Sequence, residues 1–207
     1  MDDKFMPILE KVHELFMRCG IKSVTMDDVA RELKISKKTV YKYVKDKPEL
    51  VAKVMTGICL EEQAVTTKIA EENSNAIDEL IEISKHVSQR LQQIHPSVHY
   101  DLEKYYPKAW EVFVKHKTEY IYSCVTQNLE KGVKQDLYRK NINIPVIAKL
   151  YISKIDMVFD PEIFPVTQFT FPEVHAEHMR YHIRGIASEK GVKYLTEKVK
   201  KENLSFY

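Results

Sequence analysis

Apolar residues recur along this chain at helical spacing almost from end to end, and no stretch alternates apolar and polar in the way of a half-buried strand. Ile8, Leu9, Val12, Leu15, Phe16 and Cys19 stripe a first helix over about residues 6–19, closed by Gly20. Two short helices come next. Thr25 caps one, with Asp27 and Asp28 in its first turn and Val29, Ala30 and Leu33 as its apolar side; Ser36 caps the next, whose apolar side is Val40 with Tyr43 or Val44. Asp46 and Glu49, at capping-box spacing around Pro48, open a long helix to about Glu72 through Leu50, Val51, Val54, Met55 and Ile58.

The second part continues in helices. Asn73-Ser74-Asn75 reads as a turn with Ser74 as cap, before an amphipathic helix from Ile77 to Ile94 that His95-Pro96-Ser97 breaks. A short helix spans 98–105. Pro107 starts another, striped by Trp110, Phe113, Val114, Tyr120, Ile121, Cys124 and Leu129 to about Lys131. Gly132 and the polar run KQDLYRKNIN predict a loop. Pro145 opens a helix carrying Ile147, Leu150, Tyr151, Ile155 and Val158, and the proline-rich stretch 160–172 reads as an irregular connection. Met179, Ile183 and Ile186 line a helix from Glu173, in which Gly185 invites a close neighbour; Gly191 ends it, and a charged last helix runs over 192–202. The fold class read from this pattern is all-α.

Composition sharpens the reading. Five glycines in 207 residues are few for hairpins or nucleotide-binding loops. Three widely spaced cysteines, Cys19, Cys59 and Cys124, with no CxxC pair, point to a reduced compartment and a cytoplasmic protein. Cys19 and Cys59 read as small core residues. The opening MDDKFM has no signal-peptide character, and no apolar run nears the ~20 residues that span a membrane.

Charge is concentrated in one place. The whole chain carries +2, yet between Lys34 and Lys47 six lysines stand against the single acid Asp46. A short helix with one buried side and the other bearing Lys37, Lys38, Thr39 and Lys42 suits the DNA major groove, where phosphates attract ammonium groups and hydroxyls and amines read base edges. Lys47, in the first turn of the long helix, lies where N-terminal peptide groups attract an anion and could clamp one phosphate.

From about Ile8 to Val54 the sequence resembles the TetR family of transcriptional regulators. The residues that carry the resemblance are the apolar first helix ending in Phe16 and Gly20, Thr25, Val29-Ala30, the run Ser36-Lys37-Lys38-Thr39-Val40-Tyr41-Lys42-Tyr43, and Lys47 with Glu49-Leu50. Three positions depart from the common pattern. Lys34 stands in the turn where glycine is usual, which asks it to take a backbone angle that side chains disfavour. Val44 stands for a phenylalanine, and Lys38 for a small residue, so base preference does not carry over. The resemblance implies a three-helix helix–turn–helix DNA-binding domain at 1–50 and a helical effector-binding and dimerisation domain at 51–207. It implies DNA contacts from Thr25, Ser36, Lys37, Lys38, Thr39, Tyr41, Lys42, Tyr43 and Lys47. It further implies a homodimer on a palindromic double-stranded operator, paired through the helices near 145–159 and 173–189, and repression relieved by a small ligand.

Chemistry in the second part is sparse. Tyr105, Trp110, Phe113, Tyr120 and Tyr151 offer aromatic surface suited to a small hydrophobic ligand and equally suited to filling a core. His175, His178 and His182 share one helix face with Glu177 nearby; a solvated face or a dimer contact accounts for them more simply than a metal. His95 and His99 read as surface residues. Without a phosphate-binding loop, nucleophile elbow or convergent carboxylates, no cofactor and no enzyme activity is expected. The alternative to a DNA-binding regulator is a helical protein-interaction module whose lysines form an ordinary solvated face.

Overall fold

Capping decides where most helices begin. The computed structural model describes residues 6–202, so the acidic opening residues lie outside it, and among the described residues every regular element is a helix. They are α1 (Met6–Cys19), α2 (Met26–Glu32), α3 (Lys37–Val40), α4 (Lys47–Glu72), α5 (Ala76–Leu91), α6 (Val98–Tyr105), α7 (Pro107–Lys115), a π-helical segment (His116–Ile121), α8 (Tyr122–Lys134), α9 (Ile144–Met157), α10 (Phe171–Ile186) and α11 (Glu189–Glu202). Among the described residues no helix is long and apolar enough to cross a membrane.

Contacts divide the chain into two units. The first takes residues up to 64 together with 93–117. Its core is the apolar stripe of α1 (Leu9, Val12, Leu15, Phe16) against Val29 and Ala30 of α2, Val40, Val44, and Leu50, Val51 and Val54 of α4, with Leu102 of α6 and Ala109 of α7. Phe16 is 1% exposed and Val29 fully buried, as the periodicity requires.

The second unit takes residues 65–92 and 118–202. Its core joins Ile77, Leu80 and Ile81 of α5, Val125 and Leu129 of α8, Ala148 of α9, Met179, Ile183 and Ile186 of α10, and Leu195 of α11. Asn75, rather than Ser74, caps α5: its side-chain oxygen accepts from the Ile77 and Asp78 amides at 2.8 and 3.3 Å. The helix stops at Leu91, so Ile94 lies beyond it and packs in the first unit instead.

Four further expectations are corrected. The polar run is irregular over 135–143, as read, with Leu137 and Tyr138 buried within it, but it does not begin at Gly132. Gly132 lies inside α8 and leaves room for the Tyr138 ring, which a Cβ there would overlap; Gly191 lies inside α11, where a Cβ would overlap the Leu137 carbonyl. Gly185 has no neighbour where its Cβ would stand. Cys19, the last residue of α1, is exposed, whereas Cys59 is buried.

The histidine row is not a solvated face. His175 is 7% exposed, and its Nε2 stands 3.3 Å from the Ser84 hydroxyl of α5. The rings of His178 and His182 flank Tyr151 of α9 at 5.6 and 5.0 Å. Among the described residues no three His, Cys, Asp or Glu side chains converge to hold a metal ion. Burial, with the His178 charge as a lesser cause, pushes both His175 and His182 down to about 4. Their neutral forms therefore suit the folded state, while the unfolded chain takes up protons near the ordinary value of 6.5. Stability is undiminished above pH 6.5 and falls as the pH drops from there towards 4, by about 1.4 kcal/mol per pH unit for a fully buried imidazole. Urea midpoints at pH 7 and pH 5 measure this, and His175→Gln is expected to flatten the decline.

Candidate nucleic-acid interface

The residues that face outward between 25 and 47 owe their positions to a chain of caps. Thr25 has extended backbone (φ −94°, ψ 167°), and its Oγ1 accepts from the Asp28 amide at 3.2 Å while the Thr25 amide donates to Asp28 Oδ2 at 2.9 Å. This reciprocal capping box fixes the first turn of α2. The Thr25 hydroxyl also donates to Asp28 Oδ2 at 2.6 Å, and these bonds from Thr25 hold the carboxyl below its ordinary range.

The turn into α3 takes the shape that the lysine at position 34 was expected to be forced into. Lys34 has φ 55°, in the left-handed region. Its amide donates to Arg31 O at 3.1 Å, and the Ile35 amide donates back to Ala30 O at 3.1 Å, the paired bonds of a Schellman motif. Ser36 then caps α3, accepting from the Thr39 amide at 3.1 Å. α3 itself has only four residues, but tight turns carry it on: the Tyr43 and Val44 amides both donate to Val40 O. Val40 and Val44 are 2% and 3% exposed and anchor this short rod in the first core.

Its opposite side is open. Ser36, Lys37, Lys38, Tyr41 and Lys42 are exposed, and Thr39 is half-buried. Lys37 makes an ion pair with Asp27 of α2 at 3.0 Å, which ties the two short helices together and raises the lysine above its ordinary value. Tyr43 is half-buried against the core, and its carbonyl accepts from Lys53 Nζ at 2.7 Å. At the start of α4 the Asp46 carboxylate caps the Glu49 amide at 2.9 Å, and Glu49 accepts from the Lys45 amide at 2.7 Å. Lys47 is turned inward: its ammonium donates to the Ile21 and Lys22 carbonyls at 2.7 and 3.2 Å.

The aromatic residues read as ligand candidates sit in separate neighbourhoods. Trp110 and Phe113 stack at 5.3 Å in the first unit, where the Tyr105 hydroxyl accepts from Lys22 Nζ at 2.9 Å. In the second unit the Tyr120 hydroxyl bonds Thr66 and Thr67 at 2.9 and 3.0 Å, and Tyr151 lies on the histidines of α10. An open groove lined by Arg139, Lys140, Ala187, Ser188, Glu189, Val192 and Lys193 contains none of the five. Sequence reasoning missed Asp101, a buried carboxylate of α6 that holds the Lys22 amide at 2.8 Å. An acid in the first turn of a helix reads as an ordinary dipole partner, so no signal set it apart.

Two capped short helices in this order, with an outward cationic side on the second, define a helix–turn–helix protein. Residues 8–54 match the family model described as bacterial regulatory proteins, tetR family. Over 187 residues the chain is 27% identical to an uncharacterized HTH-type transcriptional regulator, YvaF, of Bacillus subtilis strain 168, covering 88% of this chain and 95% of that one. In fold it is similar to a TetR-family transcriptional regulator from Agrobacterium tumefaciens, at TM-score 0.72 and 13% identity over 87% of this chain and 96% of that one. It is similar also to the transcriptional regulator FadR from Bacillus subtilis in complex with stearoyl-CoA, at TM-score 0.67 and 14% identity over 88% and 99%. The family match is thus confined to the helix–turn–helix segment at 8–54, and the chain is a DNA-binding transcriptional regulator.

Proposed function

We propose that this regulator is a cytoplasmic homodimeric repressor, without enzyme activity, that binds a palindromic operator and leaves it when a small hydrophobic ligand binds. Residues 1–50 read DNA; residues 51–207 pair two copies and sense the ligand. The observation that carries the reading is the outward side of α3, where Ser36, Lys37, Lys38, Tyr41 and Lys42 are exposed behind a buried Val40–Val44 anchor. Lys37, Lys38, Thr39 and Lys42 contact bases or neighbouring phosphates, with Thr25, Tyr41 and Tyr43 at the backbone.

Pairing through α9 and α10 is supported by apolar side chains that one copy leaves in water. Val146 and Leu150 of α9 are 49% and 53% exposed, and Tyr181 of α10 is 82% exposed. A symmetric pair places two reading units on two half-sites. Tyr105, Trp110 and Phe113 in the first unit, and Tyr120 and Tyr151 in the second, are the side chains to test for ligand contact. FadR holds stearoyl-CoA, and a hydrophobic ligand is the kind that these aromatic groups suit. Such a ligand releases DNA only by binding the non-DNA geometry more tightly, since equal affinity for both shifts nothing.

Selection of bound duplexes from a random DNA pool tests the reading. The expected product is a two-fold symmetric consensus, bound with strong salt dependence. Recovery of no duplex, together with salt-independent behaviour on random DNA, would favour the protein-interaction module instead.

A further inference from the structure

The segment that leads from α1 into α2 is held in an unusual way. Gly20 takes φ 78°, and a Cβ there would stand 2.6 Å from the Ser97 hydroxyl, so the chain passes close against the connection before α6. The His95 amide of that connection donates to Met17 O at 2.7 Å. Beyond Gly20, both poles of one residue meet a charge. The Lys22 amide donates to Asp101 Oδ2 at 2.8 Å, and the Lys22 carbonyl accepts from Lys47 Nζ at 3.2 Å. The same ammonium takes the Ile21 carbonyl at 2.7 Å, and Asp101 is itself steadied by the Ser97 hydroxyl at 3.1 Å. Three residues further on stands Thr25, the cap of α2.

We propose that Lys47 and Asp101 are positioning residues for DNA recognition, pinning Ile21–Lys22 from two sides and so fixing where the capped end of α2 and the α3 rod meet the duplex. The inference rests on the DNA-reading role given to α3. It assigns Lys47 a task other than the phosphate clamp that its place at the start of α4 suggests. An ammonium that donates to two carbonyls keeps a single N–H for any further acceptor, and its place is set by the two bonds already made. Asp101 is 4% exposed, so its carboxylate has no such alternative use, and a buried charge is retained only where hydrogen bonds satisfy it. Partial burial holds Lys47 below its ordinary value, with Asp101 the leading charge that opposes this effect.

Binding of the selected duplex, monitored by fluorescence anisotropy over a range of KCl concentrations, separates positioning from phosphate contact. Lys47→Met is expected to weaken binding about tenfold while the slope of log affinity against log salt stays within about 0.3 of the parent. Asp101→Asn, whose amide oxygen still accepts both bonds, is expected to stay within about threefold, and Asp101→Leu to lose about tenfold. A slope that falls by about one in Lys47→Met marks a phosphate contact and overturns the proposal. Parent-like affinity in both Lys47→Met and Asp101→Leu, with each chain folded by circular dichroism, overturns it as well. Should Asp101→Leu not fold, the Lys47→Met slope decides alone. Failure of the parent chain to bind any duplex would instead remove the DNA-reading role on which the inference stands.

Discussion

Gly132→Ala is expected to destabilise the protein by about 3 kcal/mol, at the upper end of what overpacking a core usually costs. Helix propensity alone argues the other way, since alanine in a helix interior is worth about 1 kcal/mol over glycine. The close approach of Tyr138 decides the sign. Its ring fills the place that a Cβ on Gly132 would take. Tyr138 is 1% exposed, and its hydroxyl donates to Ala76 O at 3.2 Å and lies 3.0 Å from Asn128 Oδ1. The Asn128 amide holds the same Ala76 carbonyl at 3.0 Å, so a displaced ring disturbs a buried polar network at the start of α5. Tyr138→Ala is expected to cost ~3–5 kcal/mol by itself. In the double variant the losses fall well short of additive, because the clash has gone. Urea unfolding of the three variants measures all of this, and a raised midpoint in Gly132→Ala would mean that the ring does not pack there.

The second large effect is on DNA. Lys38→Ala with Lys42→Ala is expected to lower affinity for the selected operator about 100-fold, on the scale of ~1–3 kcal/mol for each groove contact. Each lysine that pairs with a phosphate should also flatten the salt slope by about 0.9. A lysine that reads a base should instead relax preference at one position of the consensus. Lys37 pairs with Asp27, but an exposed pair of this kind is worth little, so its ammonium stays available and Lys37→Ala is expected to weaken binding on the same scale as either other lysine. Titration of the parent, the single and the double variants against selected and scrambled duplexes checks these outcomes. Unchanged binding in the double variant would remove α3 from the groove.

The reading unit was legible because its signals are local. Thr25 and Ser36 cap, Asp27 and Asp28 charge the first turn, and Val40 with Tyr43 or Val44 marks a buried side, each among residues within a few positions of one another; the angle at Lys34 was expected from the resemblance alone. What stayed hidden depends on distant partners. Asp101 bonds an amide 79 residues away, and no periodicity records such a bond. Tyr138 lies in a run of polar residues whose composition says loop, yet Ser188 N to Leu137 O and Arg139 N to Ile186 O, both 2.9 Å, draw that run against the junction of α10 and α11. Cys19 ends an apolar stripe at the place where its helix ends, so the spacing that buries its predecessors leaves it exposed. The histidines of α10 misled by their chemistry, since burial there is settled by α5 and α9 and not by the helix that carries them.

The π-helical segment at His116–Ile121 sets a helical phase. A wider turn takes in an extra residue without unwinding the rod, so α8 is shifted in phase from the face that a uniform α-helix would present. Ala109, Trp110 and Phe113 before it serve one core, and Val125 and Leu129 after it serve the other. Removing one residue from this stretch is expected to turn the residues after it by about 100° about the helix axis relative to those before it.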